Sequence, residues 1–212
     1  MQYISICNFF QFFQCILLER DFETFPAGRT GLTDKDVMFA VRSGDIDRAG
    51  ILFERHNIRL FNFFYRLTYD RQTSEDLVQE VFLRLIRFRE TYKGNGEFTS
   101  WLYKIAYNVY IDNWRKPYIQ KEYDCLPEEC TFANTVDETV ERNETSKLLE
   151  RALMKLTNEE REILILSAYQ KMKYREIAKI MDCSTGKIKQ RAFRAIKKLK
   201  DIYLQLTNEA QR

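Results

Sequence analysis

Tyr174-Arg175-Glu176-Ile177-Ala178-Lys179-Ile180-Met181, then Asp182-Cys183-Ser184-Thr185, then a basic run to Lys200: this stretch decides the fold. Its first part predicts a short helix with Ile177, Ala178 and Met181 on one face. Asp182 to Thr185 supplies a turn and a helix N-cap. The remainder predicts a second helix with Ile188, Ala192, Ala195, Ile196 and Leu199 on one face. Between Cys183 and Lys200 no residue is acidic, while Lys187, Lys189, Arg191, Arg194, Lys197, Lys198 and Lys200 are basic. Short helix, tight turn and basic second helix is the layout of a helix-turn-helix that lays its second helix in a DNA major groove. Lys and Arg on the flanks of such a helix neutralise phosphates and release counterions. Lys187, Lys189, Gln190 and Arg191 stand near its start and are long enough to reach base edges. The free backbone N–H groups after Thr185 favour an adjacent phosphate. The plain alternative is a solvated basic face on an ordinary amphipathic helix.

Composition narrows the class. The chain has 212 residues, 45% hydrophobic, with only seven Gly and three Pro, which predicts an all-α protein of one large or two small domains. A net charge of +3 says little, but the basic excess gathers at the C-terminal end. The five cysteines form no CxxC pair, so a disulfide framework is not expected and a reducing cytoplasm fits. His56 is the only histidine, and its expected role is a satisfied or exposed helix histidine. No metal set, cofactor site or nucleophile–base relay is legible, so an enzyme is the last reading.

Residues 1–31 stand apart. Tyr3 to Leu18 is crowded with Phe, Ile and Leu but interrupted by Asn8, Gln11 and Gln14. It is short for a membrane span, which needs about 20 apolar residues, and it lacks a secretory leader's pattern. The expectation is an extension from an upstream start, with the working fold beginning near Thr33; the alternative is a membrane- or partner-facing helix.

From Thr33 the chain predicts a succession of helices. Thr33-Asp34-Lys35-Asp36 opens one in the manner of a capping box, ending near Gly44. Asp45 to Tyr69 predicts a long helix with Ile46, Ala49, Leu52, Phe53, Leu60, Phe64 and Leu67 as its buried stripe. Thr73-Ser74-Glu75-Asp76 predicts the cap of a third, about Ser74 to Arg89, with Leu77, Val81, Leu85 and Phe88 facing the core. Asp76, Gln79, Glu80 and Leu83 project elsewhere. Lys93-Gly94-Asn95-Gly96 predicts a flexible loop without the ending of a phosphate loop. A fourth helix, about Thr99 to Arg115, interleaves Trp101, Tyr103, Tyr107, Asn108, Tyr110 and Trp114 with Lys104, Arg115 and Lys116. Such a mixture stacks unpaired bases and holds their phosphates; core packing explains Trp101, Leu102, Ile105 and Ala106 equally well. Pro117 to about Thr139 predicts an extended acidic linker, with Glu122, Asp124, Glu128 and Glu129 among its carboxylates. A second unit follows from about Val140, with Leu148, Leu149, Ala152, Leu153 and Leu156 on one helix face and a capping box at Thr157-Asn158-Glu159-Glu160.

Taken in order, Asp76-Leu77-Val78-Gln79-Glu80-Val81-Phe82, Phe98-x-x-Trp101-Leu102-x-x-Ile105-Ala106-x-Asn108-x-x-x-Asp112, Glu176-Ile177-Ala178 and Gly186-Lys187-Ile188-Lys189-Gln190-Arg191-x-x-Arg194-Ala195 resemble the two-domain sigma factors of the extracytoplasmic-function class. These are promoter-specificity subunits of bacterial RNA polymerase, and the resemblance spans about Thr33 to Tyr203. It implies a region 2-like domain over 33–116, an acidic linker over 117–139 and a region 4-like domain over 140–206. Asp76, Gln79, Glu80 and Phe82 match the segment that docks on core polymerase. Lys93, Asn95, Glu97, Phe98, Trp101, Asn108, Asp112, Arg115 and Lys116 match positions at the melted −10 strand, where an extruded base needs aromatic walls and an amide. Thr185, Lys187, Lys189, Gln190, Arg191 and Arg194 match the helix that reads the −35 duplex.

The resemblance further implies binding energy rather than catalysis as the means of strand opening, and a cytoplasmic protein that an anti-sigma factor sequesters at the inner membrane. Neither cofactor nor small-molecule substrate is implied. In relatives the linker threads the RNA-exit path, which an acidic chain suits; a merely solvated tether fits the sequence as well. Two features depart from the pattern: the hydrophobic extension before Thr33, and Gly186-Lys187-Ile188-Lys189-Gln190 where Gly-Thr-Val-Lys/Arg-Ser is commoner. A stand-alone helix-turn-helix regulator is the alternative function. It explains residues 174–200 but neither the Asp76–Phe82 surface nor the aromatic-basic helix. A helical adaptor with incidental charge comes third.

Overall fold

Capping chemistry starts the chain where local signals place it. In the computed structural model, which describes residues 31–121 and 144–210, α1 runs Asp34–Arg42. Thr33 Oγ1 accepts from Asp36 N (3.2 Å), and Asp36 Oδ2 accepts from Thr33 N (3.0 Å), a reciprocal capping box. A 3₁₀ turn at Ile46–Arg48 leads into α2 (Ala49–Thr68), which ends at Tyr69 in the left-handed region (φ 55°). α3 runs Arg71–Arg87 and α4 Phe98–Lys121. In the second unit lie α5 (Glu144–Met154), α6 (Asn158–Leu164), a π-helical turn at Ile165–Tyr169, α7 (Tyr174–Ile180) and α8 (Thr185–Ala210). Among the described residues there is no strand, so the all-α expectation holds.

Several boundaries and faces differ from the sequence expectation. The third helix starts three residues early, because Asp70 rather than Thr73 is its cap, with Oδ2 accepting from Thr73 N at 2.7 Å. Pro117 does not end α4, which continues to Lys121, so the linker's first residues are helical backbone. Residues 1–30 and the acidic stretch 122–143 lie outside the described residues, as do their cysteines. Ile46, Phe53 and Phe88, expected in the core, are exposed at 43%, 41% and 44%. Ile46 and Phe88 sit at element ends, where the stripe runs out. Tyr110, by contrast, is buried.

The cores follow from the stripes. Val37, Met38 and Val41 of α1 pack with Leu52, Leu60, Phe63 and Phe64 of α2, with Leu77, Val81 and Leu85 of α3 and with Leu102, Ala106 and Tyr110 of α4. This cluster does not stop at the linker. It continues into Ile163, Ile165, Leu166, Ile177, Ile180 and Ile188 of the second unit. A separate cluster joins Leu149, Leu153 and Leu156 to Ala195, Leu199 and Leu206. His56 is buried and satisfied, its Nε2 donating to Asp34 Oδ2 at 2.7 Å. That bond, with Arg55 nearby, holds the Asp34 carboxyl down at about 2.

Candidate nucleic-acid and polymerase interface

Three surfaces carry the residues singled out from sequence. The first lies on α3. Asp76 and Gln79 are exposed and Glu80 half-exposed, all on the side opposite the buried Leu77, Val81 and Leu85. Phe82 is not on that surface. It is 8% exposed and meets the Phe53 ring edge-on at 4.9 Å, so it shapes the helix rather than presenting itself. Beside Gln79 runs an apolar groove between α2 and α3, lined by Phe53, Ile58, Phe61 and Val78. Leu83, 64% exposed, adds to the same helix's apolar surface.

The second surface is the loop before α4 and that helix's outer side. Lys93, Asn95 and Glu97 are exposed, and Asn108 projects to solvent one turn beyond Lys104. Trp101 is half-buried, packed edge-on against Tyr92 at 5.1 Å. Phe98 is 4% exposed, so it supports the aromatic wall from behind. Gly94, expected in a flexible loop, is instead pinned: it has φ 69°, and a Cβ there would meet the Phe39 ring at 2.5 Å. Only glycine satisfies both conditions. Asp112 is tied to α3, accepting from Arg84 Nη1 at 2.6 Å, while Arg84 Nε donates to Glu80 at 2.7 Å. One guanidinium thus couples the α3 surface to the α4 surface across a cleft lined by Asp76, Glu80 and Asp112. Sequence reading missed Arg84, because its partner is distant in the chain. Arg115 and Lys116 lie on the last turns of α4.

The third surface is the helix-turn-helix. Ile177, Ala178 and Ile180 bury α7, and Ile188, Ala192 and Ala195 bury one side of α8. Asp182 makes the turn at φ 49°, and Ser184 Oγ accepts from Lys187 N at 3.3 Å, so Ser184 caps α8. Lys187, Lys189, Gln190 and Arg194 are exposed together, and Thr185 is half-buried. Arg191 is partly occupied, pairing with Glu159 at 3.1 Å. No group of three or more His, Cys, Asp or Glu among the described residues is placed to hold a metal ion, and no described helix is long and apolar enough to cross a membrane.

Comparison with known proteins decides what these surfaces belong to. The Sigma-70 region 2 family matches residues 52–117 and the Sigma-70 region 4 family residues 146–199. RNA polymerase sigma factor CarQ of Myxococcus xanthus is 30% identical over 81% of this chain and 98% of its own length. The chain belongs to the RNA polymerase sigma factors. The class is the extracytoplasmic-function one: the ECF sigma-E factor of Haemophilus influenzae is 30% identical over 77% of this chain and 92% of that protein. In fold, this sigma factor is similar to RpoE of Bartonella quintana, solved in complex with the anti-sigma factor NepR, with TM-score 0.52, 22% identity, and coverage of 78% and 91% of the two chains. A sigma factor is a DNA-binding transcription-initiation factor that gives core polymerase its promoters, and the stand-alone regulator is not favoured.

Proposed function

We propose that α3 docks this sigma factor on core polymerase, that α4 with its preceding loop holds the unpaired −10 strand, and that α8 reads the −35 duplex. The functional units are 33–121 and 140–206, joined by the acidic stretch. Asp76, Gln79 and Glu80 make the polar part of the docking surface, and the Phe53–Ile58–Phe61 groove beside them makes its apolar part. Phe82 positions that surface from within. Trp101 and Asn108 flank the extruded base, with Phe98 behind and Lys93, Asn95 and Glu97 in the loop; Asp112, Arg115 and Lys116 lie beside the melting duplex. Thr185, Lys187, Lys189, Gln190, Arg191 and Arg194 meet the −35 element.

One observation carries the reading: exposed polar residues cluster on three separate surfaces, each backed by a buried apolar face that fixes its orientation. The protein acts by binding, without a catalytic centre, in the cytoplasm, and an anti-sigma factor restrains it.

Run-off transcription with purified core polymerase and genomic promoter fragments tests the assignment. Wild type is expected to create new start sites. Asp76→Ala with Gln79→Ala should abolish them while leaving −35 duplex binding intact. Equal loss of both functions would refute a docking role confined to α3.

A further inference from the structure

α1 precedes residue 52, where the region 2 match begins, yet it reaches the loop assigned to the −10 strand. Val37, Met38 and Val41 anchor its buried face in the core. Lys35, Phe39 and Arg42 follow one another at i, i+4 and i+7, along a neighbouring face. All three meet the segment 90–94. A Cβ at Gly94 would lie 2.5 Å from Phe39 Cζ and 3.1 Å from Lys35 Cε. The Phe39 ring also meets that of Tyr92, with centroids 5.5 Å apart. Arg42 Nη1 donates to Tyr92 O at 2.9 Å, and its Nε lies 3.8 Å from Glu90.

Tyr92 carries those contacts on to the base site. Its ring meets Trp101 at 5.1 Å and Phe98 at 6.0 Å, both edge-on, so it joins α1 to the aromatic wall of α4. Tyr92 is buried, and its hydroxyl has no hydrogen-bond partner. No polar anchor at the tip of the ring fixes its place. Phe39 against the ring and Arg42 on the backbone carbonyl do so instead. Gly94 is buried under the same α1 side chains at φ 69°. α1 therefore moulds the loop from behind. Lys35 differs from the other two. It is exposed, with its ammonium 6.0 Å from the Phe39 ring centroid and its Cε beside Gly94. Glycine adds no side chain between that ammonium and a strand lying on the loop. Lys93, exposed on the adjacent residue, is a second cation at the same place.

We propose that α1 is part of the −10 reader: Lys35 binds a phosphate of the unpaired strand, while Phe39 and Arg42 position the loop that takes the extruded base. This rests on the assignment of that loop and α4 to the −10 strand. The two jobs are physically separate. A lysine on a phosphate adds affinity and salt dependence but carries no sequence information. A loop held in one shape discriminates between bases, because the pocket that receives the flipped base is formed before the base arrives. Arg42 acts through a backbone carbonyl and Phe39 through a ring and a glycine, so both are positioning residues. Lys35 is a binding residue.

The test presents holoenzyme, assembled from the full chain and core polymerase, with a random-sequence library of single-stranded DNA. Wild type should enrich one base at one position, and the enriched oligonucleotide then serves as the probe for titrations at several salt concentrations. Lys35→Gln should weaken binding of every library member alike and remove about 0.7 from the logarithmic salt slope, one single-strand phosphate's worth. Phe39→Ala should do the reverse, cutting the preference for the enriched base several-fold at an unchanged salt slope. Phe39→Tyr, which keeps the ring, should restore the preference. Urea denaturation run alongside separates positioning from folding, since a merely structural Phe39 would lower stability and leave the base preference intact. An unchanged salt slope in Lys35→Gln overturns the phosphate contact. An unchanged base preference in Phe39→Ala overturns the positioning role. A wild-type holoenzyme that prefers no base, and an Asn108→Ala holoenzyme that binds the library as wild type does, would overturn the −10 assignment itself.

Discussion

α8 and α4 are the two helices assigned to DNA, and they are built on opposite plans. α8 buries one stripe, Ile188, Ala192, Ala195 and Leu199, and exposes Lys187, Lys189, Gln190 and Arg194 on other sides, with Phe193 among them. α4 buries Leu102, Ala106, Val109 and Tyr110 on one side and lays Tyr103 and Lys104 against the second unit on another; among its described side chains, residues 98–113, only Asn108 is exposed. On the proposed assignment, substitutions at the exposed Lys187, Lys189, Gln190 and Arg194 of α8 should therefore act on DNA binding, whereas those on α4 should act on several functions together. A helix covered on two sides also loses the amphipathic pattern by which a helix is read from sequence.

The largest effect that separates the plans comes from the core side. Leu102 is completely buried, so Leu102→Ala should cost about 2–5 kcal/mol. Lys189→Ala, on the exposed side of α8, should stay within ~0.5 kcal/mol. Urea denaturation of the two variants measures both. Equal losses would mean that α8's outer face is structural and would collapse the contrast.

The same contrast explains what was legible in the sequence. Thr33–Asp36 and Thr157–Glu160 were readable because a capping box closes within four residues, and both are present. The α8 stripe was readable because one face is buried and the other wet. Tyr110 was misplaced because the aromatic excess of α4 suggested a ligand face, whereas the ring is buried on the same side as Leu102 and Ala106. Asp70 was missed because Thr73 to Asp76 offers a rival cap one turn later. The Arg84 link joins residues 28 apart and the Lys104 link residues 75–78 apart, and no local period encodes such pairs. The residues of the three surfaces were thus mostly visible, but the contacts holding them together were not.

Glu162, which accepts from Tyr107 of α4, probes by pH the side of α4 that meets the second unit. Burial pushes its carboxyl up to about 7, helped by Glu159 and opposed by the Tyr107 hydroxyl and Arg161. With the folded value above the unfolded one near 4.5, stability is fully present below pH 4.5 and is lost as pH rises through about 7. Glu162→Gln should remove that loss, stabilising the chain by roughly 3 kcal/mol at pH 8 and changing little at pH 4. Thermal melts at the two pH values check this. An equal effect at both would place the Glu162 cost in packing rather than charge. α8 carries no buried acid, so Lys189→Ala melts should show no matching pH dependence.

Arg84 sharpens the contrast on the docking side. Its guanidinium bridges Glu80 of α3 and Asp112 of α4 at 2.7 and 2.6 Å with 24% of the side chain exposed. Arg84→Gln should cost about 1 kcal/mol, an ordinary value for a partly exposed charged network. Since one residue of each surface is released, polymerase affinity and −10 strand binding should weaken together in holoenzyme assays. Loss of only one would show that the two surfaces are held independently.

The smallest effect lies on α8, where the contrast is weakest. Arg191 of α8 has an acidic partner in the fold, Glu159 at 3.1 Å, with 35% and 62% of the side chains in solvent. An exposed pair of this kind contributes little to folding, so Glu159→Gln should shift stability by under ~0.5 kcal/mol. For DNA the sign reverses: removing the carboxylate frees Arg191 and deletes a repulsive charge from the phosphate side. Holoenzyme binding to −35 duplex should tighten by roughly two- to three-fold at low salt, and the gain should fade as the Debye length shrinks below 10 Å. A titration at two ionic strengths reads it. Weaker binding in Glu159→Gln would mean that the pair instead holds Arg191 in the orientation that reads the base, which would make α8, like α4, a helix whose DNA face is set from outside itself.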